Sequence, residues 1–193
     1  MTGDLIPAKV LATHTIANVS ETLAEKLGLP PQYRSIGIIT ADSDDVTYCA
    51  LDEATKAAAV EVVYGRSLYA GATNASTKLA GEVIGILAGP NPAEVQSGLR
   101  ACAEFMDSGV GFRSANEDDS IIYFAHTVSR TGTYLSKTAH VREGEALAYL
   151  IAPPLEAVVG LDEALKASDV ELAALFEPPS ETNFGGGLLT GTQ

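Results

Sequence analysis

Residues Ile36–Ser67 read IGIITADSDDVTYCALDEATKAAAVEVVYGRS. The short apolar run Ile36-Gly37-Ile38-Ile39 is β-branched and has the length of a buried strand. Asp42-Ser43-Asp44-Asp45 then offers several helix N-cap candidates and places negative charge where a helix N-terminus attracts it. The pattern that follows predicts a helix from about Val46 to Ala59, with Leu51, Ala54 and Ala58 on one small-residue face. Val60, Val62 and Tyr64 alternate with Glu61 and Val63, as in a strand with one wetter face. Strand, acidic turn, helix and strand therefore follow in succession.

Working outward, Val10–Val19 reads as a strand, and Ser20–Leu27 as a short helix stopped by Gly28 and Pro30-Pro31. Leu68–Ala80 is small and polar with little period, so it reads as a long loop, and loops of this length inside compact domains are usually functional or mobile. Gly81–Gly89 reads as a strand with Glu82 at its mouth. Asn91–Asp107 reads as a helix, with Pro92 in its first turn and Val95, Leu99, Cys102 and Met106 along one face. Gly109–Ser120, Gly-rich and acidic, reads as a boundary.

Much of this pattern occurs twice. Leu51–Val63 (LDEATKAAAVEVV) and Leu161–Ala173 (LDEALKASDVELA) are identical at 8 of 13 positions, 110 residues apart. His14-Thr15 and His126-Thr127 fall in matching strands, and Ala146–Ala152 repeats the Ile36–Thr40 strand. Glu177–Gly186 stands in place of the long loop, and Gly187–Gly191 in place of Gly81–Gly89. The chain reads as two tandem copies of one module, with domains at 1–113 and 114–193. The second copy has no counterpart of the Asn91–Asp107 helix, which should leave apolar surface open.

Composition narrows the partners. The net charge of −13 argues against nucleic acid, which wants a basic footprint. It suits a neutral or cationic small molecule, or serves solubility alone. No signal peptide is legible at the N-terminus, and no apolar run reaches the ~20 residues of a membrane span. Cys49 and Cys102 have no metal-ligand spacing and read as reduced packing residues of a cytosolic protein.

Nucleophile-elbow, Walker-type and GxGxxG fingerprints are missing. His14 and His126 read as strand residues, and His140 as a solvated turn residue. Asp42, Asp44 and Asp45 could hold a cation, act as acid and base, or simply cap a helix. Three readings stay open on residues alone: an assembly protein, a soluble tandem small-molecule-binding regulatory domain, or an enzyme using the Asp42–Asp45 carboxylates. The third has no visible base, nucleophile or metal partner.

The stretches ADSDDVTYCALDEATKAAAVEVVYGRSLYAGA, GEVIGILAGPNPAE, VSRTGTYLSKTA, AYLIAPPLEA and PPSETNF closely resemble the tandem-domain shell proteins of ethanolamine-utilisation bacterial microcompartments. The resemblance runs from Asp4 to Gln193. It implies an α+β fold: two tandem, circularly permuted shell domains, ferredoxin-like, each a mostly antiparallel sheet flanked by helices. It also implies a non-enzymatic structural protein, a homotrimer forming a pseudohexamer that tiles with neighbouring shell proteins into a flat layer in the cytoplasm. Small channels within each subunit would pass ethanolamine, lined by Asp44, Asp45, Glu82, Phe112 and Asn183, with Glu156 and Tyr69 beside them. A gated central pore would be closed by loops holding Tyr69, Ala70, Gly71, Thr73 and Asn74 in one copy and Glu181, Thr182 and Phe184 in the other. No cofactor or metal is required on this reading, and cobalamin enters only as a transported or bound ligand.

Overall fold

The computed structural model describes residues 1–67, 83–178, 180 and 184–191. The chain forms two compact units, one of residues 8–108 and one of residues 1–7 with 109–193. A first strand, β1 (Leu5–Pro7), belongs to the latter. The 8–108 unit holds β2 (Val10–Ile16), α1 (Glu21–Leu27), β3 (Ser35–Ala41), α2 (Asp44–Ala57), β4 (Glu61–Ser67), β5 (Val83–Gly89) and α3 (Pro92–Asp107). Its sheet runs β2-β3-β5-β4, and every neighbouring pair is antiparallel.

Local chemistry explains the element ends. Ser20 caps α1 by accepting from the Leu23 N–H, and Gly28 closes it at φ 67°. Asn91 caps α3 through the Glu94 N–H at 3.0 Å, with Pro92 in the first turn as expected. Helix α2 starts two residues earlier than its periodicity suggests. Ser43 holds the N-cap position, and Asp44 and Asp45 lie inside the first turn, where the helix dipole favours carboxylates. Ala58 falls just outside the helix as its C-cap.

Both large helices press on one face of the sheet because two glycines let them. A methyl at Gly37 would lie 2.6 Å from Val95 Cγ1, and one at Gly85 would lie 2.8 Å from the Leu51 methyls. Val95, Leu99, Cys102 and Met106 are buried along α3, and Leu51 and Ala54 along α2. The opposite face, carrying Ile36, Ile38, Ile84 and Ile86, packs against Val19 and Ala24 around α1.

The second unit repeats the order: β7 (Ile122–Val128), α4 (Thr133–Ala139), β8 (Leu147–Ala152), α5 (Pro154–Ala167), β9 (Val170–Phe176) and β10 (Gly185–Gly191). Its sheet runs β1-β6-β7-β8-β10-β9, where β6 is Gly111–Ser114. The Gly109–Ser120 stretch, which reads as a boundary, thus contains a strand. A division at 113/114 falls inside β6, and the compact units divide at 7/8 and 108/109 instead. The cause is the pairing of β1 with β6 (Leu5 opposite Arg113, Pro7 opposite Gly111), which ties the first residues to the later unit.

Helices α2 and α5 share sequence but not surroundings. Cys49 of α2 is 2% exposed, whereas Val159, its counterpart 110 residues on, is 52% exposed. Leu155 and Val158 of α5 are also open, at 71% and 55%. In the 8–108 unit the corresponding surface of α2 is covered by α3.

Candidate functional site: the N-terminus of α2 and the Phe112 aromatic row

The sharp turn between β3 and α2 gathers the acidic residues that the sequence singles out, and it sorts them into different roles. Asp42 is a clip: its carboxylate accepts the Lys9 N–H at 2.6 Å, and its own N–H donates to the Lys9 carbonyl at 3.1 Å. It holds the start of β2 and has no part in the cluster that follows.

Asp44 does two jobs. One carboxylate oxygen accepts the Asp45 N–H at 2.9 Å, and the other accepts the Ser67 hydroxyl at 2.6 Å. Ser67 Oγ also meets the Tyr48 hydroxyl at 3.0 Å. Tyr48 lies one helical turn beyond Asp44, so an i, i+4 spacing brings both toward the end of β4. Asp44 is therefore fixed as a hydrogen-bonded carboxylate at the positive end of a 14-residue helix. Asp45 is only 6% exposed. A carboxylate buried to this degree is held by compensating interactions within the fold, so Asp45 contributes fixed negative charge to the turn.

Ser43 is unusual. Its carbonyl accepts the Thr47 N–H at 3.2 Å and the Thr47 hydroxyl at 2.6 Å. Its own hydroxyl does not cap the helix, is shielded from solvent and has no hydrogen-bond partner among the described residues. Ser43, Tyr48 and Ser67 are the residues that reading the sequence missed. The i, i+4 relation of Asp44 and Tyr48 was the available signal for one of them.

In the second unit, Phe112 is buried in a row of rings. It lies 5.4 Å from Phe124 and 6.0 Å from Phe184, and Phe124 continues to Tyr149 at 5.5 Å. His126 stacks on Phe124 at 5.8 Å, so the repeated histidine packs against an aromatic in this copy. Glu156 sits exposed in the first turn of α5. Glu82, Tyr69, Ala70, Gly71, Thr73, Asn74, Glu181, Thr182 and Asn183 lie outside the described residues.

The cysteines are packing groups. Cys102 donates its thiol to the Ala50 carbonyl at 3.3 Å, and burial pushes its pKa up to about 12. Burial, then the charges of Asp45 and Asp52, pushes the Cys49 thiol well above its usual range. Both thiols are free, and a thiol held protonated is a poor nucleophile. Among the described residues no cluster of three His, Cys, Asp or Glu side chains has metal-binding geometry, and no helix is long and apolar enough to cross a membrane.

A family model described as "BMC domain" matches residues 35–115. The bacterial microcompartment shell protein EutL of Clostridium perfringens is 70% identical over 193 residues, covering all of this chain and 89% of that protein. The chain belongs to the EutL family of bacterial microcompartment shell proteins. The EutL of Salmonella typhimurium is 55% identical over 98% of this chain and 87% of its own length. A crystal structure of the ethanolamine utilization protein EutL from Leptotrichia buccalis superposes with a TM-score of 0.96 at 67% identity, covering 100% of this chain and 88% of that one. The α+β shell-domain fold expected from the resemblance is thereby established, and the role is that of a structural shell component rather than an enzyme.

Proposed function

We propose that the chain is a gated tile of an ethanolamine-utilisation microcompartment shell, with each compact unit serving as one permuted shell domain. Three chains form a pseudohexameric disc, and discs join neighbouring shell proteins in a flat cytoplasmic layer. The observation that carries the transport reading is the N-terminus of α2. There a buried Asp45 and an Asp44 tied to Ser67 supply fixed negative charge at the start of a helix.

Ethanolamine at neutral pH is a small cation bearing a hydroxyl. Carboxylates along a passage raise its local concentration and accept its ammonium hydrogen bonds. Asp44, Asp45 and Glu82 fill that role, and Phe112, packed between Phe124 and Phe184, serves as an apolar member of the lining. Asn183, Glu156 and Tyr69 complete the lining. The loops at 69–74 and 181–184 act as gates of a central pore wide enough, when open, for cobalamin as cargo. A ligand that binds the closed arrangement better biases the gate by that difference in affinity.

Calorimetry on the wild type and Asp45→Asn tests the passage: ethanolamine should bind the first and fall at least tenfold on the second. Equal affinities would defeat the assignment. Sedimentation tests the tile, because a strict monomer at high concentration would favour a soluble regulatory module instead.

A further inference from the structure

Helix α5 and strand β9 share an open aliphatic patch. Leu155, Val158 and Leu165 are spaced so that they fall on one side of α5, and they are 71%, 55% and 38% exposed. Two glycines show which flank this is. A methyl at Gly160 would meet Leu150 of β8, whereas a methyl at Gly187 would meet Leu161 of α5 and Leu172 of β9 together. Gly160 therefore marks the β8 flank, and the Val158–Leu161–Leu165 row runs above β9. Leu172 pairs with Leu189 and Leu175 with Gly187, two residues apart on β10, so both leucines point to that same side. They are 38% and 50% exposed. Strand β9 is also the last of its sheet, and apart from Glu171 it carries no charge to blunt its outer edge.

The repeat shows that the fold does not impose this patch. The positions 110 residues earlier hold Asp45, Tyr48, Thr55, Val62 and Gly65, each buried or half-buried. The second unit carries a purely aliphatic set at the same five places and leaves it in water, where it stabilises nothing within the unit. A helix placed as α3 is, over β2, β3 and β5, would lie over β7, β8 and β10 and leave the β9 flank open. The five side chains present roughly 500 Å² of apolar surface, which matches the apolar share of a standard interface of about 800 Å² per partner. The ion pair of Lys166 with Asp162 stands at the margin, as rim charges do.

We infer that this α5–β9 surface is where each chain seats the next copy of itself in the proposed three-chain ring. The inference rests on that ring. An aliphatic, weakly charged patch suits a permanent partner rather than a transient charged one. A surface present once per chain closes a threefold ring only head to tail, so it meets a different face of the neighbouring copy.

Sedimentation equilibrium of the full chain tests this, with circular dichroism to follow folding. The wild type should be a trimer. Val158→Glu combined with Leu175→Glu should stay folded, because both positions are open, and should raise the dissociation constant at least hundredfold, because two carboxylates would lose their water in the contact. Val158→Ile with Leu175→Met should stay trimeric. Leu23→Glu, at a comparably open leucine of α1, should also leave the trimer intact. Hydrogen exchange on the unaltered chain gives a second reading: α5 and β9 should exchange more slowly in the trimer than after dilution to monomer. A double-Glu variant that assembles like the wild type, a Leu23→Glu variant that dissociates as readily, or equal exchange rates in the two states overturns the assignment of this face and leaves the tile standing. Protection of α5 and β9 only when a different shell protein is added gives the surface to that protein and overturns the second-copy assignment. A wild type that stays monomeric at high concentration sinks the tile and this inference together.

Discussion

Gly37→Ala should be the most informative single methyl that can be added to this chain. The new Cβ would lie 2.6 Å from Val95 Cγ1 and 2.9 Å from both Leu99 Cδ1 and Cγ. Carbon atoms in contact prefer about 3.5–4.0 Å, so the overlap is about 1 Å on a buried surface. Val95 is β-branched and stiff within a helix, and it has no solvent to swing into. The methyl would ordinarily gain up to about 1 kcal/mol by restricting the unfolded chain. Overpacking costs about 1–3 kcal/mol, so the net effect is a loss of about 1–2 kcal/mol. For a chain of this size that is a fall of about 2–8 °C in Tm. Val95→Ala alone removes two buried methyl-sized groups at about 0.8 kcal/mol each and leaves a cavity. In the double variant the methyl added at position 37 occupies that cavity, so the pair should be more stable than the sum of the single losses by about 1–2 kcal/mol. Denaturant melts of the four proteins decide the matter. Additive losses, or a Gly37→Ala protein as stable as the wild type, would refute the claim that α3 is seated on a bare strand.

Thr40→Val deletes a shielded, unpartnered hydroxyl and should raise stability by about 1 kcal/mol in the same melts. Tyr48→Phe removes one link of the Asp44–Ser67–Tyr48 chain and should cost about 1 kcal/mol, with a smaller loss of ethanolamine affinity in calorimetry than Asp45→Asn. Cys102 has its thiol pKa raised to about 12 from the usual 9.0, so its contribution is fully present below pH 9 and is lost as pH rises from 9 toward 12. The stability difference between wild type and Cys102→Ala should therefore shift by up to about 1.4 kcal/mol per pH unit across that window and stay flat below it. Deleting residues 1–7 should speed amide exchange in β6 and β7 and leave β2–β5 protected, as read by hydrogen-exchange mass spectrometry.

The fold was largely legible because its cues are local. Two near-identical LDEA helices, Pro92 behind an Asn cap, and Gly28 after Leu27 each announce an element within a few residues. What escaped was long-range. Nothing in LIP at Leu5–Pro7 says that it pairs with a strand more than 100 residues later, and nothing in GVGFRS marks a strand rather than a linker. The candidate site was half legible. Clustered aspartates mark the α2 turn, but only geometry separates Asp42, spent on Lys9, from Asp44, tied to Ser67. The hydroxyl of Ser43 gave no sign either, since serine before an acidic helix start normally signals a cap.

The pairing of β1 with β6 has a consequence for how the molecule comes into being. The first strand leaves the ribosome with no partner in existence, and more than 100 further residues must be synthesised before Gly111–Ser114 appears. Meanwhile the intervening 8–108 unit can collapse on its own contacts, and in doing so it draws its two ends together. It thus acts as a built-in brace, shortening the search that β1 would otherwise make across a long floppy loop. Damage to the earlier unit should therefore surface first as slow or faulty completion of the later one.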